Sequence, residues 1–307
     1  MDRDLLPHLP VVIAVARRGG FAGAAKTLGM SPSAVSHAVA LVEGRLGHKL
    51  FARTTRSVAL TEAGTALLAE LGPALDGIGD SLERLRAARG QVTGLLRLNV
   101  PRLAQPLVLT RVLRELSVRH PRLTVECFGD DGLTDIVAAG FDAGIRLGEM
   151  VAQDMVAVRL TPPFRAVVVG SPGYLARGRP QTIGDLAAHA CIGYRMVGSG
   201  ALYRWELRGE DGREVAIAIA GTVVVNESLY ARELALAGLG LAYLFAPLVA
   251  EDIAAGRLEE VLPAASIEEP GLFLYFPRSA ASQPKLRAFI EVARFNSSAI
   301  PSAAPAA

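Results

Sequence analysis

Ser33, Ser36, His37, Ala40 and Gly44 recur at the three- and four-residue spacing of one helix face, and every one is small or hydrogen-bonding. A solvated surface helix more often carries long Glu and Lys side chains there. Small side chains let a helix backbone approach base edges in a major groove about 12 Å wide, with the hydroxyls and the imidazole as readers. Lys26, Arg53, Thr54 and Arg56 flank this face in sequence and suit phosphates or a narrow minor groove. His37 has a second reading, as a neutral hydrogen-bonder to backbone. Arg102, Arg146 and Arg195 form another set, suited to holding a carboxylate or other anion through forked hydrogen bonds. For each of the three, the competing reading is an ion pair that holds loops.

Catalysis has no candidate constellation. GxSxG, GxxxxGK[ST] and HExxH are absent, and the five histidines, His8, His37, His48, His120 and His189, do not cluster. An enzyme is therefore not expected, nor a metal or cofactor. Cys127 and Cys191 are too few for a disulfide scaffold and have no CxxC partner. With no basic neighbour beside either, they read as buried structural thiols, and redox sensing through Cys127 and Cys191 is the competing reading.

The elements that must position these residues follow from periodicity. Leu9, Val12, Ile13 and Ala16 give a first helix, and Phe21, Ala24, Ala25 and Leu28 a second. Ser31 supplies an N-cap and Pro32 the first position of a third helix, whose buried stripe is Val35, Val39, Val42 and Leu46. Residues 49–60 then read as strand, basic tip, strand, which makes a wing. Charge agrees with this division. Eight Lys or Arg against three Asp or Glu give residues 1–60 a net +5, leaving −3 for residues 61–307 of the chain's +2. A basic head on a mildly acidic body is the layout of a nucleic-acid reader joined to something else.

From Thr61 to about Arg89, Leu67, Leu71, Leu75, Ile78, Leu82 and Leu85 step by four and three, a heptad-like seam on a helix of roughly 43 Å. Pro73 predicts a kink in it. Beyond Gly90, strands expected at 95–100, 123–128 and 142–145 alternate with helices at 106–119 and 133–139, a pattern that means a mostly parallel sheet. Further strands are expected at 155–160, 164–170, 190–194, 215–218, 223–226, 241–244 and 272–277, and helices at 229–237, 248–255 and 284–295. Glu210-Asp211-Gly212-Arg213 is the best hairpin turn. Residues 297–307, rich in Ser, Ala and Pro, are expected to be a disordered tail.

The run Phe21 to Ala25, Ser31-Pro32-Ser33-Ala34-Val35-Ser36-His37, Leu50-Phe51, Arg53-Thr54-Thr55-Arg56 and Leu60-Thr61-Glu62-Ala63-Gly64 resembles the winged helix-turn-helix of the LysR-type transcriptional regulators. Gly20 stands where the family often has a capping Ser, and His37 where many members have Arg. The resemblance continues over 92–295, where Phe141 to Gly148, Val168 to Leu175, Val225 to Ser228 and Gly238 to Ala242 are similar to the family's effector domain. It implies a DNA-binding readout helix over Ser31 to Ala40, capped by Ser31, with Pro32, Ser33, Ser36 and His37 near the bases and Lys26, Arg53, Thr54 and Arg56 on the backbone or in the minor groove. It also implies an antiparallel pairing of linker helices in a dimer, and a two-lobed α/β body like that of periplasmic binding proteins.

The expected fold class is thus α/β with an N-terminal all-α winged helix-turn-helix (1–60), a long linker and dimerisation helix (61–90) and a two-lobed effector-binding domain (91–296). Lobe one would span about 92–161 and 269–295 and lobe two about 162–268. Ligands of open α/β sheets sit beyond strand carboxyl ends. This selects Pro101, Arg102, Leu103, Ala104, Asp131, Arg146 and Gly148 from lobe one, and Arg195, Asn226 and Ser228 from lobe two. The implied partners are double-stranded promoter DNA, a small-molecule effector such as a carboxylate, further copies of the chain as a dimer or dimer of dimers, and RNA polymerase. A solute-binding protein remains the rival, opposed by the fused basic head. Mean hydropathy is +0.33, but the longest uncharged apolar stretch near the C-terminus, Gly238 to Ala250, falls short of the roughly 20 residues needed to span a membrane. The cytoplasm is the expected compartment.

Overall fold

A computed structural model describes residues 4–53, 58–87, 92–148 and 155–297. The chain divides into two compact units, Met1–Gly90 and Gln91–Ala307.

The first unit packs α1 (Leu9–Arg17), α2 (Phe21–Leu28) and α3 (Pro32–Leu46), then the hairpin of β1 (Phe51–Arg53) and β2 (Val58–Leu60), then α4 (Glu62–Ala87). A single 3-10 turn, Leu6–His8, precedes α1. Val12, Val15, Ala24, Val35, Val39, Val42 and Leu50 make its core, and Phe21 meets Phe51 edge-on at 6.0 Å. Leu28 and Leu46, expected in the buried stripes, are 36% and 38% exposed, because each ends its helix. Gly64 is where α4 meets the wing: a β-carbon there would stand 2.1 Å from the carbonyl oxygen of Leu50, so only glycine allows the approach. The helix runs through Pro73 without interruption, so the expected kink does not break it. Of the expected dimer seam, Leu67 packs into its own unit's core, whereas Ile78, Leu82 and Leu85 are exposed.

The second unit opens with β3 (Gly94–Val100), a π turn (Gln105–Leu109), α5 (Thr110–Arg119), β4 (Leu123–Gly129), β5 (Ala143–Leu147) and β6 (Met155–Arg159). It continues through β7 (Phe164–Gly170), α6 (Pro172–Leu175), β8 (Gly193–Tyr194), β9 (Trp205–Arg208), β10 (Glu214–Ile217) and β11 (Val224–Val225). α7 (Ser228–Leu236), β12 (Ala242–Phe245), α8 (Ala246–Ala254), β13 (Glu259–Val261), β14 (Ile267–Glu269), β15 (Leu272–Pro277) and α9 (Pro284–Ser297) complete it. Lobe one is a five-stranded sheet in the order β4-β3-β5-β15-β6, with β3 parallel to β4 and β5, and β15 antiparallel to β5 and β6. α5 and α9 cover it through Val112, Leu116, Leu286, Phe289 and Val292.

Lobe two departs from the expected mostly parallel arrangement. β7 pairs antiparallel with β12, β13 and β14. Parallel pairing survives between β8 and β11 and at the Cys191–Leu241 bridge. β13 and β14, three residues each, are too short to show a period, as is the four-residue β9. The expected Asp-Gly turn joins β9 to β10, with Gly212 at φ +78°.

The helix expected at 133–139 is a single turn. Asp135 accepts from the N–H groups of Val137 and Ala138, and Gly140 at φ +72° ends it. Ile136 is buried, but Leu133 and Val137 are 70% and 56% exposed, so a single buried residue gives no stripe to drive further winding. The two crossings between lobes touch: Leu160 donates to the carbonyl of Leu272, and Leu272 to Thr161 Oγ1. Glu269, expected to open the return into lobe one, pairs instead with Phe164 in lobe two, because β14 extends one residue farther. Ser297 ends α9, and the remainder of the expected tail lies outside the described residues. Among the described residues no helix is long and apolar enough to cross a membrane.

Candidate nucleic-acid interface and ligand cleft

The reading face of α3 is built by its cap. Ser31 Oγ accepts from the N–H of Ala34 at 3.2 Å and lies 2.9 Å from Ser33 Oγ. Ser31 is thus the helix cap that its place before Pro32 predicts. Pro32, Ser33 and His37 are exposed, Ser36 is half-buried, and Lys26 is exposed in the last turn of α2. No acid stands in the first turn of α3 to repel phosphate. Arg53 ends β1, while Thr54 and Arg56 lie outside the described residues.

Glu43 ties α3 to the wing. Its Oε1 accepts from the N–H groups of Leu50 (2.9 Å) and Phe51 (3.3 Å), and its Oε2 from Lys49 Nζ (2.8 Å). Burial raises the carboxyl's pKa, but Lys49 and the two amides outweigh it and leave it below the ordinary value. Thr61 locks the far side: its hydroxyl donates to the carbonyl of Lys49 and accepts from the N–H of Gly64.

In the second unit, β3 and β4 deliver their carboxyl ends together. Arg102 Nη1 donates to Asp131 Oδ2 at 2.8 Å, and the Arg102 amide to Asp131 Oδ1 at 2.8 Å. The guanidinium is 44% exposed against 9% for its partner. From lobe two, Tyr194 and Glu227 fall within its electrostatic reach. Burial, with the charges of Asp131 and Glu227, pushes the Tyr194 phenol up to about 12, Arg102 opposing. Glu227 accepts from the N–H groups of Leu229 and Tyr230, so a carboxylate already caps α7 beside Asn226 and Ser228. A β-carbon at Gly132 would stand 3.5 Å from Val197 Cγ1, which brings the two lobes within contact distance here.

The three arginines do not converge as equals. Arg146 is 3% exposed, donating to Asn99 Oδ1 (2.5 Å) and to the carbonyls of Gly132 and Ile145, with its Nε left unpaired. Arg195 is exposed and donates to the carbonyl of Gly200, five residues on. Of the three, Arg102 is the partly exposed one whose guanidinium feels charges from both lobes, Asp130 and Asp131 in one and Glu227 in the other. Pro101 and Ala104 are buried in the turn that carries it, and Leu103 packs on the lobe-one core. Gly148 donates to the carbonyl of Gly271 beside the crossing strands, and Asn226 is exposed. Asn99 and Glu43 are the residues that sequence reasoning misses; each is a polar side chain in an apolar run, the one signal that could have found them. Burial raises both thiols, Cys191 to about 11. Among the described residues no His, Cys, Asp or Glu group could hold a metal.

Residues 6–65 match the family model for the bacterial regulatory helix-turn-helix protein, lysR family, and residues 89–296 match that for the LysR substrate binding domain. The Escherichia coli K12 protein YcaN, an uncharacterized HTH-type transcriptional regulator, is 39% identical over 91% of each chain. The HTH-type transcriptional regulator PgrR of the same organism is 36% identical over 95% of this chain and 97% of its own. The solved structure of CrgA, a LysR-type transcriptional regulator from Neisseria meningitidis, superposes with a TM-score of 0.60 at 27% identity, covering 94% of this chain and 98% of that one. The chain belongs to the LysR family and is a DNA-binding transcriptional regulator with an effector-binding domain.

Proposed function

We propose that the chain binds promoter DNA as a dimer or dimer of dimers, with Ser33, Ser36 and His37 of α3 reading bases and Lys26, Arg53, Thr54 and Arg56 holding the backbone. The interlobe cleft senses a small carboxylate. The observation that carries this is Arg102: Asp131 takes its amide and Nη1, and the Nε–Nη2 edge meets no other partner among the described residues. That edge is the one a carboxylate engages with two parallel hydrogen bonds. Tyr194 from the other lobe keeps its proton at neutral pH and can donate to the same ligand.

A ligand held by both lobes favours their closed arrangement by its difference in affinity for the two states. Closure then changes how paired winged units are spaced on DNA and how far the site bends. RNA polymerase is the expected downstream partner of such a change. A thermal-shift screen of small carboxylates against the full chain tests the reading. Stabilisation that disappears in Arg102→Gln supports it; stabilisation untouched by Arg102→Gln removes the cleft from the account.

A further inference from the structure

Lobe two holds a groove of about 600 Å³ outside the interlobe cleft, between the segment Ser171 to Arg177, the C-terminus of α7 and Arg257. That volume lies in the range of small-molecule sites. Ser171 is 7% exposed, lines the groove, and its hydroxyl meets no hydrogen-bonding partner among the described residues. The hydroxyl is thus free to donate to a ligand atom in the groove.

The charges around it are arranged for an anion. Arg257 is held in place by Asp252, whose Oδ1 accepts from Arg257 Nε at 2.9 Å and Nη2 at 2.7 Å. Asp252 is fully buried and also takes Arg232, whose other arm pairs with Glu233 at 2.7 Å, so the two guanidiniums and two carboxylates balance and Arg257 keeps its Nη1 toward the groove side of the pair. Arg177, exposed and with no ion pair among the described residues, supplies the net positive charge of the lining. Leu236 supplies an apolar wall. Gly238 stands at φ +76°, and a β-carbon there would come within 3.3 Å of Ser171 Oγ, so glycine keeps the floor beside the hydroxyl open.

We propose that this groove is a second ligand site, for a small molecule bearing an oxyanion, either carboxylate or phosphate, gripped by Arg177 and Arg257 and accepting a hydrogen bond from Ser171. The site goes beyond the cleft reading and stands without it. α7 begins at Glu227 in the cleft and ends at the groove, so the two sites occupy opposite ends of one helix about 13 Å long. An occupant of the groove therefore bears on the element that caps the cleft.

Calorimetric titration of the full chain with inorganic phosphate, and separately with succinate, tests the proposal. Binding of at least one is expected, weakened about tenfold in Arg177→Gln, which removes an exposed side chain and leaves the fold intact, and also weakened in Ser171→Ala. Phosphate binding without succinate binding assigns a phosphate ligand, and the reverse a carboxylate. Binding kept in Arg102→Gln places the anion in the groove whatever becomes of the cleft. No binding of either anion overturns the proposal, as does an affinity unchanged in Arg177→Gln or lost only in Arg102→Gln.

Discussion

Glu43, near the end of the helix that carries Ser33 and His37, accepts the backbone N–H of Leu50 at the root of the wing. One buried carboxylate thereby sets the position of the DNA-facing hairpin relative to the reading helix. Replacing it with Gln keeps the shape but loses the charge-assisted bonds to Lys49, Leu50 and Phe51, and should cost about 2 kcal/mol at neutral pH. The folded carboxyl lies below its ordinary 4.5, so its contribution is present above that value and disappears as pH falls through the folded one. Melting curves of the two proteins should therefore converge in acid. A gap that persists there would assign the loss to packing.

Asn99 joins the charges of lobe one, donating to Asp130 at 3.5 Å and accepting from Arg146 at 2.5 Å. Truncation to Ala takes one acceptor from a buried guanidinium whose Nε already lacks a partner, leaving it the carbonyls of Gly132 and Ile145. We expect Asn99→Ala to lower stability by about 1–3 kcal/mol, with the wild-type response to high salt retained. Denaturant unfolding measures this, and an unchanged midpoint would mean that water replaces the amide.

On DNA, Lys26 and the α3 residues should separate by their salt dependence. Lys26→Ala removes a phosphate contact, so affinity should fall alike for all sequences and the slope of log K against log salt should drop by about 1. His37→Ala should instead alter preference among operator variants while leaving that slope in place. Mobility shifts at several salt concentrations decide between them; a His37→Ala protein with unaltered preference would assign the imidazole to the backbone.

The head was legible because its chemistry is local. Ser31-Pro32 caps a helix, glycine stops follow, and the Leu-Thr-Glu-Ala-Gly run closes on Leu50, all within a few residues of sequence. Lobe two resisted because β7 gathers β12, β13 and β14 from about 75 to 100 residues away, and three-residue strands carry no period of their own. The cleft was legible by address but not by charge balance. Strand ends named Arg102 and Asp131, yet whether a guanidinium faces ligand or, like that of Arg146, turns into the core depends on partners such as Asn99 that only packing brings near.

Both thiols are held protonated by burial. With Cys191 near 11, only about one molecule in ten thousand carries that thiolate at pH 7, and Cys127 is raised as well. Alkylation by iodoacetamide should be slow in the folded protein and fast in denaturant, and a Cys127→Ser, Cys191→Ser protein should bind DNA like the parent before and after peroxide. Loss of peroxide sensitivity in that variant would restore the redox reading.

Ile78, Leu82 and Leu85 lie on the last turns of α4 at 58%, 52% and 69% exposure, whereas Leu67, about three to five turns nearer the N-terminus, is packed in its own unit. Spacing of four and three puts the exposed trio on one stripe, the width of a coiled-coil seam, and such a stripe left in water costs about 1.5–3 kcal/mol per residue relative to burial. Pairing of α4 with a second copy of itself would cover it and set two winged units on a two-fold site. Leu82→Glu places a charge in the middle of that seam but touches nothing in the first unit's core. Sedimentation should show the wild type at the mass of a dimer or larger and Leu82→Glu shifted toward the monomer, with affinity for a two-half-site operator lost more than affinity for a single half-site. A Leu82→Glu protein of unaltered mass would move the interface off this helix.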